Sequence, residues 1–429
     1  MAGVILILMI VLLFTGMPVG FALGVAGMIG LFLVGGLDSV FSIFSSVPFR
    51  TAANYTLTTL PMFILMAEFV GASQIVDDIF NAAKRWMERL PGGLAIATVI
   101  ASAGMGAMSG SSTASAATMA SIAVPQMLKH GYSQRVATGI VTVSGTLAIM
   151  IPPSIAFVLY GIITETSIGK LLIAGIIPGL LTTFMYAVGI LCWNKFSPGA
   201  MPAPTRIYTW KDRWGSIRPL WAFILLASMV IGSMYTGLAT PTEAAACGAF
   251  GALVIPLILR RMAKSSFKKA VTGSIRVTTM IFTIIIGAMI FGYFLTLTQT
   301  TQNFITLLGR LALPHWVIML FLVFLYLFLG CIMDQVAIIL ITLPLVFPLV
   351  MSMGYDPIWF GVISVKLAEI GLVTPPVGMN AYVVSATTKV PLDDVFRGTG
   401  VMLLVDGISL VLLLFFPILS TWLPAKMMG

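Results

Sequence analysis

The sequence predicts an all-α multi-pass membrane protein built as an inverted repeat, in which each copy has a re-entrant hairpin and a broken helix. Hydrophobic residues make up 59% of the 429 residues and charged residues 9%, whereas soluble domains carry about 25% charged residues. Two long apolar runs are interrupted by consecutive prolines, and the proline and glycine pattern of the first half recurs in the second.

The prolines interrupt the runs at residues 145–161 and 368–384. Pro152-Pro153 and Pro375-Pro376 cannot donate backbone hydrogen bonds, so carbonyl groups about one turn earlier lose their helical partners. The residue before each pair is pushed toward extended geometry. At membrane depth, such a break is tolerated only where it is buried in protein or lines a wet cavity. Two breaks at matching positions are typical of a binding centre between the halves of a transporter.

A shift of 223 positions superimposes the matching prolines, glycines and neighbouring residues of the two halves without a gap. We therefore predict a first repeat at residues 1–190, a basic cytoplasmic linker at 191–218 and a second repeat at 219–429. The superimposed pairs are Pro18 with Pro241, Leu90-Pro91 with Leu313-Pro314, Pro125 with Pro348, Gly131-Tyr132 with Gly354-Tyr355, and Pro152-Pro153 with Pro375-Pro376.

Both repeats are predicted to have the same order of elements: scaffold and arm helices, a hairpin whose tip stops within the membrane, and the broken helix. The scaffold and arm regions are about 1–90 and 219–313, and the regions with hairpin and broken helix are about 91–165 and 314–390. In the first copy we expect helices at about 3–15, 18–35 and 58–76, an amphipathic segment at 77–90, a hairpin at 92–127, a broken helix at 134–163 and a helix at 168–192. In the second copy we expect helices near 219–236, 242–260 and 275–298, an amphipathic segment near 300–313, a hairpin at 315–350, a broken helix at 357–385 and a last helix at about 399–420.

Charge predicts the orientation of the two copies. Fourteen of the 23 Lys and Arg residues lie in three short stretches, as expected for cytoplasmic loops under the positive-inside rule. Lys84 and Arg85 fall on Leu307 and Leu308 under the shift, so equivalent loops differ in charge and face opposite sides of the membrane. Because the net charge of +9 is concentrated in loops, we expect no nucleic-acid partner. The three stretches are 84–89, 195–218 and 260–276.

Cysteines and histidines are too few and too scattered to indicate a metal cluster or a disulfide framework. Cys192, Cys247 and Cys331 stand far apart in apolar runs, and His130 and His315 are the two histidines of the chain. We expect no transition metal and no organic cofactor.

Oxygen ligands occupy corresponding positions at the two hairpin tips, because Ser111 falls on Asp334 under the shift. A carboxylate in mid-membrane costs about 3 kcal/mol unless it is paired, so Asp334 is a functional candidate. Hydroxyl, carboxylate and free carbonyl oxygens suit hard cations, and the sequence has no carboxylate cluster for a divalent ion. We therefore predict two Na+ sites. The first comprises Ser109, Ser111, Ala148 and Ile151, and the second comprises Asp334, Gly371 and Thr374.

Several of these residues have a structural alternative. The alternative for Asp334 is a capping or hydrogen-bonding role at its tip, and the small residues Gly106 and Gly110 would allow close helix packing. Asn380 is suited either to binding a solute or to holding its loop.

Two other polar motifs are interpreted as structural. Thr240-Pro-Thr-Glu243 predicts a capping box with proline at the first helical position. Lys366 and Glu369 lie three residues apart on the second broken helix, a spacing at which they pair with each other.

Five runs resemble the large membrane subunit of the tripartite ATP-independent periplasmic (TRAP) transporters, and the similarity covers essentially the whole chain. This resemblance implies a sodium-coupled secondary importer of the bacterial inner membrane with an elevator-type ion-transporter fold. It implies two partners, a small four-helix membrane subunit and a periplasmic substrate-binding protein, and an organic acid as substrate, of the C4-dicarboxylate or sialic acid class. The runs are 16–24, 108–132, 151–155, 237–249 and 369–383.

The resemblance also concerns individual residues. It places sodium ligands around the first hairpin tip and the first proline loop, which adds Pro153 to the first site. It places further ligands around Asp334 and the second loop, which adds Val377 to the second site. The residues expected to contact the substrate are Ser112, Thr113, Ser154 and Asn380.

Other functions make different predictions. A stand-alone sodium–carboxylate symporter would share the architecture but would not need a periplasmic protein. A channel would conduct without sodium coupling or saturation. An intramembrane hydrolase would need a histidine near residues 109–112, and no histidine lies in an apolar run at that depth, so we expect no enzymatic activity.

Overall fold

The regular structure is entirely helical in the part of the chain described by the computed structural model, residues 2–197, 199, 201–202, 208–310 and 313–428. Eight helices within these ranges are long and apolar enough to cross a membrane. A further candidate span is the helix pair Gln134–Met150 and Ile155–Thr164, which is bent by 41° at the break between them. The all-α multi-pass class is thereby confirmed. Residues 198, 200 and 203–207 of the expected linker lie outside the described residues.

The helices follow the predicted order in both halves. The first half contains Ala2–Phe14, Val19–Ala52, Thr59–Ala72, Ile75–Met87, Gly93–Ser109, Ser112–Lys129, Gln134–Ser144, Leu147–Met150, Ile155–Thr164, Ile168–Ala174 and Ile176–Phe196. The second half contains Trp210–Gly215, Trp221–Ala227, Ser228–Gly232, Ser233–Tyr235, Pro241–Ile258, Lys264–Leu297, Thr300–Arg310, His315–Gly330, Gln335–Ser352, Pro357–Val373, Met379–Thr388, Leu392–Phe415 and Ile418–Met428.

Each half has one hairpin and one broken helix, as predicted. Hairpin 1 is Gly93–Ser109 with Ser112–Lys129, and hairpin 2 is His315–Gly330 with Gln335–Ser352. Broken helix 1 runs from Gln134 to Thr164 and broken helix 2 from Pro357 to Thr388, and each is interrupted at its proline pair. The second helices of the two hairpins begin and end 223 positions apart. The domain limits and the orientation of each repeat in a bilayer stay predictions.

Three boundaries differ from those expected. The helix expected at 18–35 is followed directly by a second helical segment that ends at Ala52, and Gly36, whose φ of 69° is not helical, forms the kink between the two. The helix expected at 275–298 begins earlier, at Lys264, and spans 34 residues. The helix expected at 399–420 begins at Leu392 and ends at Phe415, two residues before Pro417, since a proline cannot continue the hydrogen-bond pattern. A further helix, Ile418–Met428, follows it and was not expected.

Contacts between the halves follow a two-fold pattern. The long helices Val19–Ala52 and Lys264–Leu297 pack against each other, closely enough that a Cβ on Gly20 would lie 2.6 Å from the carbonyl oxygen of Thr283. The second helix of hairpin 1 packs on Met379–Thr388 of broken helix 2, and the second helix of hairpin 2 packs on Ile155–Thr164 of broken helix 1. Each hairpin therefore meets the break of its own repeat and the half-helix of the other.

The contact between broken helix 1 and the helix Leu392–Phe415 depends on the absence of a side chain at Gly398. A Cβ there would lie 1.9 Å from the carbonyl oxygen of Arg135, and backbone cannot yield as a flexible side chain does. We expect Gly398→Ala to destabilise the protein by about 3 kcal/mol, as overpacking does. The matched control is Gly400→Ala on the same helix, where a Cβ meets nothing within 4 Å. Thermal unfolding in detergent should show a lower midpoint for Gly398→Ala alone, and equal midpoints would contradict the contact.

Candidate functional site

The tip of hairpin 1 lies directly against the break of its repeat. Gly110 turns the chain with φ +62°, and a Cβ on it would lie 2.6 Å from the carbonyl oxygen of Pro153. One turn earlier, a Cβ on Gly106 would lie 2.8 Å from Cα of Ala148. The structural alternative of close packing is therefore realised, and it brings the hairpin tip beside the backbone carbonyl groups of the first predicted sodium site.

The hydroxyl groups at this tip differ in their hydrogen bonding. Ser109 is buried, and its Oγ has no hydrogen-bond partner among the described residues. The backbone N–H of Ala114 donates to Ser111 Oγ at 3.4 Å, so that Ser111 caps the second helix of the hairpin. Thr113 Oγ1 lies 3.3 Å from Ser111 Oγ. Because a buried oxygen without a partner is costly, Ser109 fits the role of an ion ligand.

The tip of hairpin 2 is bound to the second break through backbone groups. The N–H groups of Val377 and Gly378 both donate to the Cys331 carbonyl, at 3.2 and 3.4 Å. Gly330 and Gly371 touch, so that a Cβ on Gly330 would lie 2.7 Å from Cα of Gly371. These contacts bring the residues of the second predicted site into one neighbourhood.

The side chains of the second predicted site use part of their hydrogen-bonding capacity within the protein. Asp334 Oδ2 accepts a hydrogen bond from the Val336 backbone N–H at 3.1 Å, so its capping role is realised. The other carboxylate oxygen is not needed for that cap. Thr374 Oγ1 donates to the Ile370 carbonyl at 2.6 Å, and its lone pairs remain suited to a cation. Capping and ion binding are therefore compatible at this tip.

Both hairpin tips face one cavity of about 620 Å³, within the size range of small-molecule pockets. Ser111 and Thr113 line it from hairpin 1, and Asp334 and Gln335 line it from hairpin 2. The opposite wall consists of Thr59–Ala72 and Lys264–Leu297, which contribute the charged side chains of Glu68 and Lys269. Sequence reasoning missed both charges, because Lys269 lies in a basic stretch that was attributed to topology.

The four residues expected to contact a substrate lie in different places. Thr113 lines the cavity. Ser112 Oγ donates to Asn380 Oδ1 at 3.3 Å, and both side chains are buried, so Asn380 holds its half-helix against hairpin 1. Ser154 is buried and accepts a hydrogen bond from the Phe157 backbone N–H at 3.3 Å, as the cap of Ile155–Thr164.

The geometry bears on the two polar motifs that were interpreted as structural, at Thr240 and at Lys366. The capping box at Thr240 is confirmed: the Thr240 N–H donates to Glu243 at 2.8 Å, and the Glu243 N–H donates to Thr240 at 3.3 Å. The interpretation that Lys366 simply pairs with Glu369 is incomplete. Lys366 Nζ lies 3.7 Å from Glu369 Oε2 but only 2.6 Å from Oδ1 of Asp406, a residue far along the chain that sequence spacing does not connect to it.

Comparison with known proteins adds a family and a fold. Residues 6–419 match the family model described as tripartite ATP-independent periplasmic transporter, DctM component. The chain is 37% identical over 404 residues to the C4-dicarboxylate TRAP transporter large permease protein DctM of Pseudomonas aeruginosa, which covers 94% of this chain and 93% of that protein. It is 29% identical over 420 residues to the sialic acid TRAP transporter large permease protein SiaM of Vibrio cholerae, with 97% of each chain covered.

Among solved structures, the chain resembles the YdaH transporter of Alcanivorax borkumensis, with a TM-score of 0.59 and 14% sequence identity. The match covers 91% of this chain and 89% of that one. At this identity the likeness concerns the fold alone.

Proposed function

We infer the function from the family, because this chain belongs to the tripartite ATP-independent periplasmic transporter family as a DctM component. We propose that it imports an organic acid together with Na+. Membership of this family identifies the chain as the large membrane subunit of a secondary transporter. It is a multi-pass protein of the bacterial inner membrane and not an enzyme. Its substrate would be of the C4-dicarboxylate or sialic acid class, to which the two named relatives are assigned.

The observation that carries this proposal is the single cavity shared by both hairpin tips, Ser111 on one side and Asp334 on the other. The tips also contact the two breaks, through Gly110 with Pro153 and through Cys331 with Val377. An ion that bridges a tip to its break would therefore also shape the cavity wall. This arrangement supports coupling of ion binding to solute binding.

The cavity also has features that favour an anionic solute. The half-helix Ile155–Thr164 begins at the cavity, where Ile155 is part of the lining, and a helix N-terminus favours negative charge. The opposite wall contributes one formal positive charge, Lys269, together with the acid Glu68. In the proposed elevator mechanism, the hairpins and broken helices move as a body along the long helices Val19–Ala52 and Lys264–Leu297.

The test is transport in vesicles that contain the chain with its small membrane subunit. Labelled C4-dicarboxylate and sialic acid are supplied with and without the periplasmic binding protein, under a sodium gradient or a potassium gradient. The proposal expects saturable uptake that needs both sodium and the binding protein. Uptake without the binding protein would indicate a stand-alone symporter, and sodium-independent, non-saturating flux would indicate a channel.

Lys269 provides a prediction about the solute. We expect Lys269→Gln to raise the half-saturating concentration of an anionic solute by about threefold to tenfold, because one attractive charge at the edge of the cavity is removed. The effect should shrink at high ionic strength, since salt screens exposed charges. The matched control is Lys268→Gln, an adjacent exposed lysine outside the cavity lining. Equal half-saturation for both variants would remove Lys269 from the solute site.

A further inference from the structure

A second cavity, of about 510 Å³, lies between the two long helices and the end of hairpin 2 that is remote from its tip. Neither Ser111 nor Asp334 is part of its lining, so it is distinct from the cavity that both hairpin tips share, which is called the tip cavity below. The walls of the second cavity come from both long helices, the second helix of hairpin 2 and the last turn of broken helix 1, at residues 47–57, 285–296, 340–348 and 162–164.

The second cavity is the repeat-related counterpart of the tip cavity. Under the shift of 223 positions, five lining positions of one cavity fall on lining positions of the other. An inverted repeat would produce such a pair of cavities, one from each copy of the same arrangement. The superimposed pairs are Val47 with Ala270, Asn54 with Val277, Leu57 with Met280, Ala72 with Leu295, and Ala117 with Leu340.

The two cavities lie toward opposite ends of one long helix. Lys269 lines the tip cavity and Tyr293 lines the second cavity, and both belong to Lys264–Leu297. At 1.5 Å per residue they are about 36 Å apart along that helix, which exceeds the hydrocarbon thickness of about 30 Å. Because Lys269 belongs to a stretch that is predicted to be cytoplasmic, the same prediction puts the second cavity toward the periplasmic side.

The two cavities differ in charge. Among the described residues that line the second cavity, Arg50 is the one charged side chain, and it forms no ion pair with any described residue. The tip cavity has one base, Lys269, and two acids, Glu68 and Asp334. An anion is therefore favoured in the tip cavity only when cations such as Na+ offset the acids, whereas the second cavity attracts an anion without them.

Neutral hydrogen-bond donors line the second cavity together with Arg50. Asn54 Oδ1 accepts a hydrogen bond from the Thr56 backbone N–H at 2.9 Å, which leaves the amide N–H groups of Asn54 as donors. Thr51 and Tyr293 also belong to the lining, and their hydroxyl groups have no hydrogen-bond partner among the described residues. A guanidinium group with additional donors and no competing acid suits a carboxylate, which it can bind through two parallel hydrogen bonds.

We propose that the second cavity binds the carboxylate group of the solute without sodium, with Arg50 as its ligand, before the solute reaches the tip cavity. The identity of the solute rests on the proposed function, whereas the site rests on its own charge and donors. On the predicted periplasmic side, this cavity is placed to receive the solute that a periplasmic binding protein delivers. Sodium is then required only at the later step, at the hairpin tips.

Arginine modification read by mass spectrometry tests the site in the unaltered chain. Phenylglyoxal is added to the purified protein in potassium chloride without sodium, with succinate or N-acetylneuraminate as the carboxylate probe. A probe at ten times its Kd should slow the modification of Arg50 about tenfold. Arg89, an exposed arginine outside the lining of both cavities, should react at an unchanged rate. An unchanged rate at Arg50 with both probes, or protection that requires Na+, would overturn the proposal.

Equilibrium binding of the labelled probes without sodium provides the second test. Arg50→Gln should raise the Kd at least about tenfold, because the charge-assisted hydrogen bonds are lost. Arg50→Lys keeps the charge but not the bidentate geometry and should fall between Arg50→Gln and the wild type. The matched control Arg89→Gln should bind as the wild type does. Wild-type affinity in Arg50→Gln would overturn the proposal.

These results are separable from the test of the proposed function. Sodium-dependent uptake in vesicles without sodium-free protection of Arg50 would contradict the second binding site alone. Sodium-free binding at Arg50 without sodium-dependent uptake would contradict sodium-coupled import and leave the site in place.

Discussion

Replacement of Asp334 by asparagine is expected to abolish sodium-dependent uptake while the fold remains intact. Asparagine caps helices about as well as aspartate, so the hydrogen bond from the Val336 N–H to this side chain can be kept. What disappears is the negative charge at the hairpin tip. A mid-membrane carboxylate costs about 3 kcal/mol that a bound cation offsets, which corresponds to a sodium affinity roughly 100-fold weaker without it.

The matched control is Asp356→Asn. Asp356 caps the next helix by accepting hydrogen bonds from the N–H groups of Ile358 and Trp359, at 2.8 and 2.9 Å, but it lies on the surface and away from the cavity. Uptake is measured in vesicles over a range of sodium concentrations, with the amount of folded protein determined for each variant. If Asp334→Asn keeps the sodium dependence and rate of the wild type, Asp334 is a cap and nothing more.

Replacement of Gly110 by alanine is expected to eliminate uptake, because it disrupts the first predicted ion site. Gly110 has a positive φ, which costs an L-residue about 1–2 kcal/mol, and its Cβ would also lie 2.6 Å from the carbonyl oxygen of Pro153. The hairpin tip would have to move away from the break. Ser109 and Ser111 flank this position, so both predicted hydroxyl ligands would be displaced from the carbonyl groups of the first predicted sodium site.

Gly131→Ala separates the clash from the backbone strain. Gly131 also has a positive φ, of +85°, but a Cβ there meets nothing closer than 3.5 Å. Both variants should lose about 1–2 kcal/mol of stability from strain, Gly110→Ala should lose more because of its clash, and only Gly110→Ala should lose sodium-dependent uptake. Uptake that persists in Gly110→Ala would show that contact between tip and break is not required, and loss of uptake in both variants would attribute the effect to strain.

The sequence predicted the features that depend on local backbone chemistry. A proline pair removes hydrogen-bond donors wherever it occurs, so the breaks before Ser154 and Gly378 were predictable. The small and polar residues at 108–113 likewise indicated the tip of hairpin 1, whereas the helix cap at Ser111 emerged only from the structure. The capping box at Thr240 depends on residues only three apart. None of these features requires knowledge of what lies across the bundle.

Only the tertiary structure decided which distant residues meet. Ser112 and Asn380 are separated by 268 positions, and Lys366 and Asp406 by 40. Apolar helices pack through many nearly equivalent faces, so the pattern of a sequence does not specify which polar side chain is buried opposite which. For the same reason, the shared cavity and its two wall charges, Glu68 and Lys269, followed from the packing of whole helices and from no local motif.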